Sequence, residues 1–236
     1  MSVYTTQLRL RNKDVNLHRV LRTSTLFELM QEASIRHTEE LGMGRERTLD
    51  RGLLWMVTHQ QAEITRLPEY DETITLESWP GRTMHLLFPR YYRVLDEKGD
   101  VLLRASALWA LVDQSTRRMV FPDRHGVVIE GTVTGNEIDL PSTPRRAEAG
   151  ESRDFTVPFS YVDLNGHMNN TRYFDLAEDR IPAASEGRSL RKIAVEYANE
   201  ARLGDTVRVT IEQDGGTFYV SGDMEKKVFR LMLAYT

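Results

Sequence analysis

Over residues 24–41, STLFELMQEASIRHTEEL, the positions Leu26, Leu29, Met30, Ala33, His37 and Leu41 recur three or four residues apart, the spacing of one face of a helix of about five turns. Thr25 and Glu28 read as a capping box at its start, and Gly42 and Gly44 as its stop. After an irregular stretch the pattern changes to strands. Residues 53–67 are rich in β-favouring side chains, 73–79 alternate, 86–95 run into the turn Asp96-Glu97-Lys98-Gly99, and 101–112 are mostly apolar. From about residue 122 to 150 glycine and proline recur and the chain reads as a connection.

The pattern then restarts. Residues 155–162 are strand-like, 171–181 have helical spacing through Tyr173, Leu176, Ala177 and Arg180, and strands follow over 192–201, 206–213, 217–221 and 228–235, with Gly215-Gly216 as a turn. Segment 61–78 can be laid on 195–212 so that Glu72-Thr73-Ile74 meets Asp205-Thr206-Val207, and Phe27-Glu28-Leu29 matches Phe174-Asp175-Leu176. A helix followed by a meander, twice over, predicts an α+β fold built by duplication rather than a parallel doubly wound sheet. The halves differ before their helices, where the first offers no counterpart to Asp163, Asn165 and His167.

Composition narrows the chemistry more than the fold. At 236 residues, 40% hydrophobic and 28% charged, the chain can bury a core as one large domain or two small ones. It contains no cysteine, which removes disulfides, thiolate metal sites and cysteine nucleophiles and makes the cytoplasm the expected compartment. No apolar run is long enough for a membrane span and no signal peptide is expected. The formal net charge of −4 is spread through the sequence, so no nucleic-acid footprint is expected. Arg145 with Arg146, and Arg188 with Arg191 and Lys192, read as ordinary solvated faces.

The densest polar stretch is YVDLNGHMNN, residues 161–170, which a solvated turn, a metal loop or a catalytic cluster could explain. As a calcium loop it has His167 and Met168 at its fifth and sixth positions and Phe174 at the twelfth, where a carboxylate, glycine and glutamate are needed. The six histidines are scattered without zinc spacing, so no metal and no cofactor is expected. Asn169 or Asn170 can cap the following helix, but capping leaves Asp163, Asn165 and His167 unexplained. In an extended segment those three share one face, and they precede a helix end that supplies free N–H groups and about half a positive charge. A carbonyl oxygen would be polarised there. No G-x-S-x-G serine is present, so a carboxylate activating water remains, from Asp163 or from Glu200 in the strand-like segment IAVEYANEA.

These blocks resemble the acyl-acyl carrier protein thioesterases of plants and bacteria. YVDLNGHMNNTRYFDLAED is similar to the family's D-x-N-x-H-x-N-N stretch and following helix, and VEYANEARLGDTV to its L-E-Y-x-x-E-C segment. GLLWMVTHQQAEITRLPEYDETITLESWPG and ALWALVDQSTRRMVFP are similar to its first-half blocks, in the family's order. The resemblance, bacterial-like in type, implies two tandem hot dog domains, each a long helix wrapped by an antiparallel sheet: an acyl-binding domain over 1–136, a linker over 137–154 and a catalytic domain over 155–236. It implies hydrolysis of fatty acyl-acyl carrier protein with Asp163, Asn165, His167 and Glu200 as the catalytic set, and an acyl tunnel formed largely by the first domain. Leu26, Leu29, Met30, Trp55 and Leu86 are the expected lining, with Asn169 and Asn170 at the substrate. The family's cysteine falls on Ala201, which leaves a carboxylate mechanism. The expected partner is acyl carrier protein, in a monomer or homodimer; a non-catalytic acyl-binding module, an acyl-coenzyme A thioesterase and a hot dog hydratase are the alternatives.

Overall fold

The computed structural model describes residues 3–236. Ten strands form one antiparallel sheet. The first half contributes β1 (Tyr4–Arg9), β2 (Leu53–Ile64), β3 (Thr73–Pro80), β4 (Leu87–Leu95) and β5 (Val101–Asp113); the second contributes β6 (Glu151–Thr156), β7 (Leu190–Tyr197), β8 (Thr206–Asp214), β9 (Thr217–Asp223) and β10 (Lys227–Tyr235). Their spatial order, β1-β3-β4-β5-β2-β7-β10-β9-β8-β6, is the same from either edge inwards, so the halves are related by a pseudo-twofold axis between β2 and β7. There His59 faces Glu196 and Glu63 faces Lys192. The duplication read from the sequence is therefore physical: β3 and β8, which begin at Thr73 and Thr206, are equivalent strands.

The helices are less equal. Helix α1 (Thr23–Glu40) buries Leu26, Phe27, Met30, Ala33 and His37. It stops where Gly42 takes φ +70°, a conformation glycine adopts without steric cost, and Met43 N–H closes back on the Thr38 carbonyl. The capping box does not form; Glu28 instead accepts from Thr171 Oγ1 across the axis (3.2 Å). Helix α2 (Arg172–Glu178) has seven residues, not the eleven the pattern suggests, and a short α3 (Pro182–Ser185) follows. Pro182 accounts for the break, since the residue before a proline is pushed out of the helical region and Ile181 lies at ψ 111°. Phe27 and Phe174, paired by the sequence repeat, stack at 4.3 Å where the helices meet, a contact of about 0.5–1.5 kcal/mol beyond the area it buries. Glu178, at the far end of α2, accepts from Thr23 Oγ1 (2.8 Å) and Tyr235 OH (3.2 Å).

Two strand expectations shift. The strand expected over 155–162 lies at Glu151–Thr156, beginning inside the expected linker, because Pro158 lacks the N–H a ladder needs and residues 159–161 turn instead. Glu200 lies beyond the end of β7 at Tyr197, in a segment held by Ala198 N–H on the Val228 carbonyl (2.8 Å) and Asn199 Nδ2 on the Lys227 carbonyl (2.7 Å).

Candidate active site

The polar stretch is a hairpin turn, not an extended segment. Val162 bridges to Met168, Asp163 N–H donates to the His167 carbonyl (3.0 Å), and Gly166 takes φ +82°. Asp163 Oδ1 accepts the Asn165 N–H (2.8 Å), which stiffens the tip and leaves that oxygen occupied. The turn is then tied to the segment after β7: Met168 N–H donates to the Ala201 carbonyl (2.7 Å) and His167 bridges to Arg202. That pairing brings His167 Nε2 to 3.6 Å from Glu200 Oε1, with both side chains largely buried. Arg117 Nη1 stands 3.4 Å from the same oxygen and Arg202 Nη2 3.9 Å from the other. Ala201 is fully buried.

The helix entrance is tighter than the sequence suggests. Asn169 caps through Oδ1, which accepts the Thr171 N–H (2.9 Å) and hydroxyl (2.8 Å); the Asn169 and Arg172 N–H groups go to the Tyr161 and Asn169 carbonyls. Of the expected row of free donors, Asn170 is one that remains: its backbone N–H and side-chain amide find no partner among the described residues. Burial keeps the Tyr173 phenol protonated, with the Glu200 carboxylate reinforcing this; the buried Tyr197 phenol is held protonated too and donates to Gln60 (3.1 Å).

Asp163, Asn165, His167, Asn169, Asn170 and Glu200 all line one cavity of about 400 Å³. Its opposite wall comes from the first half: Gln31 of α1, Leu54–Val57 of β2, Trp109 of β5 and Arg117. A second, more apolar cavity of about 470 Å³ adjoins it, sharing Leu54, Trp55, Trp109, Arg117 and Asn165, and runs between α1 and the first-half sheet past Leu53 and Phe88. Of the expected acyl lining, Trp55 borders both cavities, edge-on to Phe88 at 4.7 Å. Leu26 and Met30 are fully buried core, Leu29 packs partly buried against that core, and Leu86 sits in the turn before β4. Helical geometry explains the substitution: the face that fills the core carries positions 26, 30, 33 and 37, whereas Ser34, Ile35 and Thr38 face the cavity. The same cavity wall includes buried Arg90, whose guanidinium donates to Ser78 Oγ (3.0 Å) and Thr38 Oγ1 (3.1 Å); burial first, and the Arg90 charge second, lower the pKa of buried His37 to about 4 and keep it neutral.

Two family models match the chain: the acyl-ACP thioesterase N-terminal domain over residues 1–122 and the acyl-ACP thioesterase C-terminal domain over 145–232. The chain belongs to the acyl-ACP thioesterase family. Among curated acyl-ACP thioesterase relatives, the chloroplastic acyl-[acyl-carrier-protein] hydrolase FATB3 of Cuphea viscosissima is 27% identical over 87% of this chain and 53% of its own length. The dodecanoyl-[acyl-carrier-protein] hydrolase of Umbellularia californica is 23% identical over 91% and 60%. The chain thus spans about half the length of the first of these relatives. The hot dog fold is shared with solved structures: an acyl-ACP thioesterase from Bacteroides thetaiotaomicron (TM-score 0.85, 19% identity, 99% of this chain and 98% of that one) and the 12:0-ACP thioesterase from Umbellularia californica (0.82, 21%, 99% and 97%).

The pseudo-twofold axis corrects one sequence expectation. The first half does have a counterpart to the polar turn: Val15 bridges to Leu21, Asn16 N–H donates to the Val20 carbonyl, His18 N–H to Asn16 Oδ1, and Arg19 takes φ +63° where Gly166 stands in the second half. The bridge Val20–Glu69 answers His167–Arg202. Asn16, His18 and Val20 therefore occupy the places of Asp163, Asn165 and His167, and Leu67 that of Glu200. They border a cavity of about 630 Å³ on the other side of the axis. The backbone device is duplicated; the imidazole at the place of His167 and the carboxylate at the place of Glu200 are not, since Val20 and Leu67 stand there. Among the described residues no cluster of His, Asp or Glu suits a metal ion, and no helix is long and apolar enough to cross a membrane.

Proposed function

We propose that the chain hydrolyses the thioester of fatty acyl-acyl carrier protein, releasing free fatty acid, at the cavity beside His167 and Glu200. The observation that carries this is the meeting of two unlike spaces: a polar pocket holding an imidazole and a carboxylate 3.6 Å apart opens onto an apolar one large enough for an alkyl chain. Glu200 takes the proton of the attacking water, since Asp163 is committed through Oδ1 to its own turn. His167, facing Glu200, orients the water and passes the proton that Glu200 has taken on to the departing thiolate, which leaves Glu200 ionised for the next turnover. Asn165 and Asn170 offer the donors for the developing oxyanion, a role worth about 2.7–4 kcal/mol per donor in comparable sites. A cysteine nucleophile is absent: the family's cysteine position holds Ala201, which is buried and does not line the cavity. The first half, residues 1–136, supplies the acyl wall, and the second half, from β6 at Glu151 onward, carries the chemistry. Acyl carrier protein is the partner, and the lack of cysteine suits the reducing cytoplasm.

The test is release of free thiol from acyl carrier protein and coenzyme A thioesters of several chain lengths. The expected result is turnover favouring the carrier protein, lost in Glu200→Gln and His167→Ala. Absence of turnover with every thioester, in folded protein, overturns the enzyme reading; equal turnover with coenzyme A thioesters overturns the partner.

A further inference from the structure

Resting on that reading of the site, we infer that Arg117 is the positioning residue for the Glu200 carboxylate: the catalytic centre of the second half is completed by a cation from the first. Arg117 follows β5 in the turn Asp113-Gln114-Ser115-Thr116, which is unusually well secured. Asp113 Oδ1 accepts from the N–H and hydroxyl of both Ser115 (3.1 and 2.6 Å) and Thr116 (2.8 and 2.9 Å), Gln114 N–H reaches the Gly52 carbonyl (2.8 Å), and Arg117 N–H returns to the Asp113 carbonyl (2.9 Å). These bonds hold the Asp113 carboxyl at about 2, so the turn stays ionised and intact at any working pH.

The turn forces Arg117 to φ +56°, a left-handed conformation that side-chain-bearing residues avoid and that persists where surrounding structure over-determines it. A glycine there would relieve the strain but would lose the guanidinium, which lies 3.4 Å from Glu200 Oε1, the oxygen that faces His167. Arg117 also borders both the polar and the apolar cavity, so it stands where thioester and acyl chain meet. A guanidinium at that point holds the Glu200 carboxylate turned toward His167, and substrate drawn along the first half passes the group that sets the base.

The experiment compares wild type, Arg117→Ala, Arg117→Lys and Arg118→Gln on an acyl-pantetheine thioester, which carries no protein to dock, and on acyl carrier protein substrate. Misplacing a reacting group costs on the order of 10²-fold; for Arg117→Ala we expect kcat down about 10- to 100-fold on both substrates with KM changed less than about threefold. Lysine recovers part of the loss, added guanidinium recovers part in the alanine variant, and Arg118→Gln stays near wild type. Arg117→Ala combined with Glu200→Gln should be no worse than Glu200→Gln alone. An unchanged kcat in Arg117→Ala, a loss confined to KM on carrier protein, or additive losses in the double variant overturns the inference. Full activity in Glu200→Gln would instead overturn the reading of the site on which it rests.

Discussion

Glu178 gives the stability of this protein a pH dependence of predictable sign. It is enclosed between the start of α1 and the last strand, and burial first, with Asp175 and Asp179 adding, raises its carboxyl from 4.5 to about 7 against the lowering effect of its bonds to Thr23 and Tyr235. The folded state therefore holds a proton that the unfolded chain gives up near 4.5. Its contribution is complete below about pH 4.5, falls as pH rises, and is gone above about 7. At about 1.4 kcal/mol for each tenfold, the change amounts to roughly 3 kcal/mol, an upper figure because the residue keeps some contact with solvent. Glu178→Gln retains an oxygen for both hydroxyls and cannot ionise. Thermal unfolding at pH 5 and pH 8 should show the variant close to wild type at pH 5 and more stable at pH 8, by about 6–12 °C for a chain of this size. Parallel curves for the two proteins across that range would refute the reasoning, because they would mean that Glu178 ionises in the folded state as easily as in water.

Four further outcomes follow from the same geometry. Glu200→Gln should lower kcat by at least about 10²-fold with the fold intact by circular dichroism, as expected when a general base is removed, whereas Asp163→Asn, which keeps an acceptor for the Asn165 N–H, should cost far less; steady-state kinetics separate the two. Ala201→Cys should add no activity, and alkylation with iodoacetamide should leave turnover unchanged, because the position is buried and does not line the cavity. Ile35→Trp, at a cavity-facing site 44% exposed and therefore tolerant, should shift preference toward shorter acyl chains in a chain-length series. Phe174→Ala removes one partner of the stack on the pseudo-twofold axis and should destabilise by about 3–5 kcal/mol in urea unfolding.

Much of the fold is legible in the sequence because strands and helices announce themselves by period. The first helix, both meanders and the repeat of Thr73 on Thr206 all follow from side-chain alternation and turn residues. What escapes is anything set by a single backbone event. Pro182 cuts the second helix from eleven residues to seven, and Pro158 moves a strand upstream. At the site, Asp163, Asn165, His167 and Glu200 do line one cavity, but through a hairpin and its pairing with residues 201–202, not through a shared strand face. Tyr173, Gln31 and Arg117 go unnoticed because their spacing reads as helix core, helix surface and turn; only the packing of the two halves turns them toward one space. Of the expected acyl lining Trp55 borders the cavities, whereas Leu26 and Met30 fill the core and the α1 side of the apolar cavity falls to neighbours such as Ser34, Ile35 and Thr38.

The unoccupied twin of the polar turn has a practical meaning. Asn16, His18, Arg19, Val20 and Leu67 keep the hydrogen bonds and the bridge of the proposed site but put valine and leucine where it has His167 and Glu200, so the backbone there is already shaped for those groups. Installing aspartate, asparagine, glycine, histidine and glutamate at those five positions asks for no new fold, only new side chains on a frame that the chain builds twice. A natural protein with one silent copy of its own active-site scaffold is a ready host for a second, independently tuned hydrolytic centre, and its cavity of about 630 Å³ is large enough to receive a substrate of different shape.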